Sequence, residues 1–180
     1  MTKDEKIAKL GKVITDRATV LLGKDKITPD SPEYLGINSA LKFTAVKYDE
    51  KMADDILDIA LTMKKRVPLT IEQLAKKNPQ FDRAYLEKAL QALSESGLVE
   101  FHWENLDGKN PNHEKRWVLD MFVPGSAEIM MINPEQADMF PETADFFERM
   151  AYLPLAGITE MVPPGGAGIG MHVIPVEKAI

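Results

Sequence analysis

The chain of 180 residues contains no cysteine. That excludes a disulfide, a thiolate nucleophile and an iron–sulfur cluster held by the chain's own thiolates. An excess of positive charge is also missing: 22 Lys and Arg stand against 28 Asp and Glu, for a net charge of −6. Affinity built on neutralising phosphates needs the opposite bias, so charge disfavours DNA as a partner. No run of about 18 apolar residues occurs, so no membrane span is expected. The start, MTKDEKIAKL, lacks the apolar centre of a signal peptide, and the expected location is cytoplasmic. With 44% hydrophobic residues, the length suits one domain with an appendage or two small ones.

The stretch from Leu69 to Phe122 carries the clearest pattern. Thr70 with Gln73 three residues on is a capping box, so a short helix is expected to begin near Ile71 and to stop at Asn78-Pro79. Asp82 is the expected cap of a second helix, whose Tyr85, Leu86, Ala89, Leu90 and Leu93 share one face, and Gly97 its left-handed stop. Val99, Phe101 and Trp103 then alternate with polar residues, as Trp117, Leu119 and Met121 alternate with Val118 and Asp120 on the return. Two period-2 runs around Asp107-Gly108 predict a hairpin with a long polar tip, and Trp103 and Trp117 are expected to face one another as core residues. Before this stretch, Met52, Ile56, Ile59, Ala60 and Met63 predict a helix from Asp49 to Lys64-Lys65-Arg66, whose cations either complement its negative end or form an interaction patch. Helix, helix, turn, helix, ribbon is the order of a winged helix. The expected fold is mainly α with a small β-ribbon.

The flanks are less regular. Ile7, Leu10, Ile14, Ala18 and Leu21 predict an amphipathic helix over 3–22, packed on its own domain or forming a homodimer seam. Residues 24–32 read as a loop, and Glu33–Leu41 as a short helix weakened by Gly36 and Asn38. Ala127–Ile132 is expected to be a strand or a buried extended segment. Asn133 and Pro134 fit an N-cap and first helical residue, and a further helix presents Phe146, Phe147, Met150 and Leu153. The expected division is an N-terminal helical extension (1–48), a winged-helix domain (49–123), a helical extension (124–160) and a Gly/Pro-rich docking tail or linker (161–180).

Chemistry is sparse. His102, His113 and His172 do not form a ligand motif, and no spacing suggests a nucleophile–base pair, so no catalytic, cofactor-binding or metal-binding residue is nominated. Across Lys51 to Asp120 eleven basic residues meet twelve acidic ones. Were the chain a dimeric winged-helix DNA-binding regulator, the ribbon residues Lys109, Lys115 and Arg116 would be its first contacts with phosphate. Gly166, Gly168 and Gly170 superficially suggest a phosphate-cradling loop, yet the strand, helix and acidic residue of a dinucleotide fingerprint do not accompany them. A docking segment is the plainer reading.

MFVPGSAE (Met121 to Glu128), FFERM (Phe146 to Met150) and MVPPGGAGIGMHVIPVEKAI (Met161 to Ile180) resemble the N-terminal region of large iron–sulfur flavoprotein oxidoreductases. These are described as pyridine nucleotide-disulfide or glutamate-synthase-small-subunit-like proteins. The resemblance implies a non-catalytic, N-terminal winged-helix docking module. In its parent, cysteine-rich segments and a flavin- and nicotinamide-binding domain follow, so 4Fe-4S, FAD and NAD(P) belong to the parent and none to this chain. It implies as partners the downstream domains or a redox protein, met through Phe146, Phe147 and Met150 and the glycine-rich tail. The family's cysteines and dinucleotide fingerprints are absent here, so no cofactor residue carries over to this sequence.

Overall fold

A computed structural model describes residues 1–15, 27–105 and 108–141, except for the side chains of Val123 and Pro124. The described chain is mainly helical with one two-stranded antiparallel sheet, as the patterning predicts. In order, the elements are α1 (Lys3–Ile14), α2 (Pro32–Lys47), α3 (Glu50–Leu61), α4 (Ile71–Lys77) and α5 (Arg83–Glu95). There follow β1 (Val99–His102), β2 (Arg116–Leu119), a π-helical turn (Phe122–Ser126), α6 (Ala127–Ile132) and α7 (Pro134–Met139). Among the described residues no helix is long and apolar enough to cross a membrane.

Local sequence explains most helix starts. Thr2 and Glu5 cap α1 reciprocally, and Thr70 and Gln73 do the same for α4. Asp49, Asp82 and Asn133 each accept a backbone N–H at the first turns of α3, α5 and α7. Gly97 has φ +80°, so its left-handed conformation turns the chain from α5 into β1.

One apolar core runs through these elements. Ile7, Leu10 and Ile14 of α1 meet Ile37 and Leu41 of α2 and Ile56 and Ile59 of α3, and the cluster continues to Leu86 and Leu90 of α5 and to Leu119. Burying each such side chain contributes about 1.5–3 kcal/mol, which outweighs surface pairs such as Lys3–Asp54 (3.1 Å), worth under ~1 kcal/mol. The ends of α2 and α5 are joined where the Tyr48 hydroxyl donates to Glu95 at 2.7 Å. Burial first, and then that carboxylate, push the Tyr48 phenol up to about 12.

Several boundaries differ from the expectations. The first helix ends at Ile14 rather than near Gly23, and the remainder of the expected span, 16–22, lies outside the described residues. Of the expected loop 24–32, residues 27–31 precede α2 as a turn, in which Thr28 N–H donates to Ser31 at 2.9 Å. α2 runs 16 residues instead of nine, because it packs on α1, α3 and α7 and so recovers by burial what Gly36 and Asn38 cost in propensity. α3 stops at Leu61, and the Lys64-Lys65-Arg66 triplet lies beyond it. Lys65 Nζ donates to Thr15 C=O at 2.5 Å, and Arg66, at φ +62°, donates its backbone N–H to Leu119 C=O at 2.9 Å. The triplet therefore leads into the sheet instead of capping a helix dipole.

Ala127–Ile132 is helical, not extended. Ala127 and Met130 are buried one turn apart while Ile132 is 79% exposed, a one-sided burial that the four consecutive apolar residues after Glu128 conceal. Trp103 is not a core residue: it is 49% exposed, and Trp117 faces Phe101. Phe146, Phe147, Met150, Gly166, Gly168, Gly170 and His172 lie outside the described residues.

Candidate interaction site at the ribbon and α5

The ribbon is fixed to the helices by its return strand. The register pairs Val99 with Leu119, Glu100 with Val118, Phe101 with Trp117 and His102 with Arg116. On its other edge Trp117 exchanges N–H···O=C bonds with Leu69, both 2.9 Å. Trp117, Val118 and Leu119 are all buried, so β2 is covered on both faces, whereas β1 alternates less strictly. One face of the ribbon thus grades outward: Val99 and Leu119 in the core, Trp117 buried against a half-exposed Phe101, then exposed Trp103.

Lys115 belongs to that same face, two residues before Trp117. Its ammonium lies 3.9 Å from the centroid of Phe101, 4.1 Å from that of Trp117 and 5.8 Å from that of Trp103. The rings stand edge to face, with Phe101 5.3 Å from both Trp103 and Trp117. Electron-rich ring faces around a cation are mutually stabilising by about 0.5–1 kcal/mol at an exposed site. Sequence reading placed Lys115 only by its charge. The i, i+2 spacing with Trp117 was the available signal.

The other ribbon cation is also engaged. Arg116 donates from Nη2 to Lys109 C=O, while its buried Nε has no partner among the described residues. Asn110, 1% exposed, organises the tip. Its amide donates to the carbonyls of Glu114 (2.9 Å), Trp103 (3.2 Å) and Glu104 (3.3 Å), and its own carbonyl accepts Glu114 N–H at 3.0 Å. His113 Nδ1 lies 3.0 Å from the Trp103 carbonyl. His102 Nδ1 is 3.3 Å from Glu104 but lacks hydrogen-bonding alignment.

Between the ribbon, the start of α4 and the outer face of α5 lies a cleft of about 510 Å³. Ile71 and Trp117 give it apolar surface, and Glu72, Glu87, Glu114, Arg83 and Lys115 give it charge. Arg83 is shared, with Nη1 2.7 Å from Glu72 and Nε 3.1 Å from Glu87. The hydrogen bond to Arg83 holds the Glu72 carboxyl below its ordinary range, and the same bond raises Arg83. α5 is fixed from behind by Tyr85, which donates to Asp55 of α3, and Lys51 binds the same carboxylate. Three carboxylates and two engaged cations make this a poor seat for phosphate and a fair one for a protein.

A second, shallower hollow holds Arg66, Glu100, Asp120 and Glu128. Asp120 is 3% exposed; burial and then the Glu100 carboxylate push it up to about 6, against the opposing pull of Arg66. Among the described residues no group of three or more His, Asp or Glu converges as a metal site. With no cysteine in the sequence either, the donors present do not fit an iron–sulfur cluster.

Comparison of the chain with protein-family models, curated proteins and solved structures finds no match.

Proposed function

We propose that the chain is a non-catalytic winged-helix docking module, the amino-terminal part of an iron–sulfur, flavin- and NAD(P)-dependent oxidoreductase of the cytoplasm. The observation that carries the docking half is the state of the cations on the face between α5 and the ribbon. Arg83 serves two carboxylates and Lys115 lies on aromatic rings, while Phe101 and Trp103 remain open to a partner. Aromatic residues and arginine are enriched at protein interfaces. The redox half is supported by the segments between Met121 and Ile180 that resemble such enzymes. The 4Fe-4S cluster, FAD and NAD(P) would be held by the parent's other domains, which are also the natural docking partners. Reading the gene's frame beyond codon 180 tests this. Clustered cysteines followed by a strand–GxGxxG–helix pattern are expected, and an immediate stop would detach the chain from redox chemistry.

The second reading is a dimeric DNA-binding regulator. In its favour, α5 and the ribbon line one cleft with Lys115 on the ribbon side, and Lys109 and Arg116 belong to the same ribbon. It requires duplex binding that weakens steeply with salt. Absence of binding at low ionic strength removes it.

A further inference from the structure

The aromatic corner of the α5–ribbon cleft already displays the kind of group it holds. The Lys115 ammonium sits over Phe101 and Trp117 at 3.9 and 4.1 Å, and no ion pair to it exists among the described residues. Ring faces alone hold it, on a flexible four-carbon stem, so leaving the corner breaks no hydrogen bond within the described chain. Phe101 and Trp103 are 36% and 49% exposed, so the corner opens to solvent. Around the cleft, Glu72 and Glu87 divide the single charge of Arg83, and Glu114 has no ion pair among the described residues. Removing the Lys115 charge leaves three carboxylates against one guanidinium beside bare aromatic faces. That combination selects an ammonium and rejects an anion.

We propose that this corner is the receptor for a lysine side chain of a partner protein, and that Lys115 occupies it in the free chain as an internal stand-in. Docking then exchanges one ammonium for another and releases Lys115 to the solvent. The partner is a segment with an exposed lysine in a locally basic setting, since Glu87 and Glu114 repel acidic neighbours. The inference takes its partner class from the docking reading, yet the two fail separately. A stop codon after Ile180 removes the parent enzyme and leaves the lysine site intact, and a chain that docks without recognising lysine does the reverse.

The test titrates the whole chain with acetylated, amidated peptides Gly-Gly-Lys-Gly-Gly and Gly-Gly-Glu-Gly-Gly, using tryptophan fluorescence as readout. Lys115→Ala vacates the corner and is expected to bind the lysine peptide about two- to five-fold more tightly than the wild type. Lys115→Gln, which keeps the stem without the charge, is expected to shift affinity in the same direction. In the Lys115→Ala background, Glu87→Gln with Glu114→Gln should weaken binding about three-fold or more, and the glutamate peptide should not bind. Far-UV circular dichroism and a urea midpoint verify that each variant folds. Folded Lys115→Ala without saturable lysine binding, or with equal binding of both peptides, overturns the proposal. So does duplex DNA binding that both lysine variants lose, because a phosphate contact makes Lys115 a ligand group and not an occupant.

Discussion

Trp117 and Leu69 exchange a pair of 2.9 Å backbone hydrogen bonds, so the chain entering α4 forms a third, minimal strand beside the ribbon. The ribbon and the start of α4 are consequently joined by backbone hydrogen bonds along one edge of the cleft. Trp117 is 4% exposed and fills the junction. Trp117→Ala should cost about 3–5 kcal/mol, the range for emptying a large aromatic site, as read from the urea midpoint. Trp117→Phe, which preserves the ring contact with Phe101, should cost less than half as much. Equal losses for the two would mean that the backbone pair alone fixes the ribbon.

Gly36 is a packing requirement on α2. A Cβ there would lie 2.6 Å from Cε2 and 3.1 Å from Cζ of Phe122, itself 1% exposed. Gly→Ala gains about 1 kcal/mol of helix propensity, while overpacking a core costs about 1–3 kcal/mol. The steric cost should win, leaving Gly36→Ala about 1 kcal/mol less stable than the wild type by chemical denaturation. Adding Phe122→Leu should make the same alanine neutral or stabilising, a reversal that a propensity effect alone cannot produce.

Gly36 also shows where sequence reading stops. α4 and α5 were legible because their signals, Thr70 with Gln73 and Asp82 with an apolar stripe, act within three or four residues. The length of α2 was not, because the residue that licenses Gly36 lies 86 positions away. α6 is hidden for a related reason: after Glu128 the run 129–132 has no polar residue to reveal which side is buried. At the ribbon, alternation found Phe101 and Trp117, but their register needed the Leu69 pairing. In the sequence Lys115 is legible only as a charge, and its place over two rings follows from that register.

The ribbon tip depends on Asn110. Its side chain donates to three carbonyls and accepts one N–H. Asn110→Ala should leave those carbonyls to water and cost about 1–3 kcal/mol, concentrated locally. Hydrogen exchange over 103–115 should accelerate while α5 is unchanged. Asn110→Asp retains the acceptor toward Glu114 N–H and loses the donors, so it should resemble alanine. Slow exchange in the aspartate variant would assign the order of the tip to the accepting bond alone.

Asp120 gives the fold a pH dependence whose sign is fixed by its surroundings. It packs against the π-helical turn, where a Cβ on Gly125 would lie 2.8 Å from its Cγ, and it faces Glu100 of β1, Glu128 of α6 and Arg66. Burial raises it from 3.8 to about 6, so between those values the folded chain holds a proton that the unfolded chain releases. The stability contributed is fully present below the unfolded value and is lost as pH rises through the folded one, by up to about 3 kcal/mol. Asp120→Asn stays neutral throughout and keeps an oxygen for the Met121 N–H, now at 3.1 Å from Oδ1. Groups remote from the hollow titrate alike in both proteins and cancel in the difference. The urea midpoint of the wild type should therefore fall relative to Asp120→Asn between pH 4 and pH 7, leaving the variant the more stable at neutrality. Parallel midpoints over that range would mean that Arg66 fully compensates the buried charge and that the hollow holds Asp120 ionised.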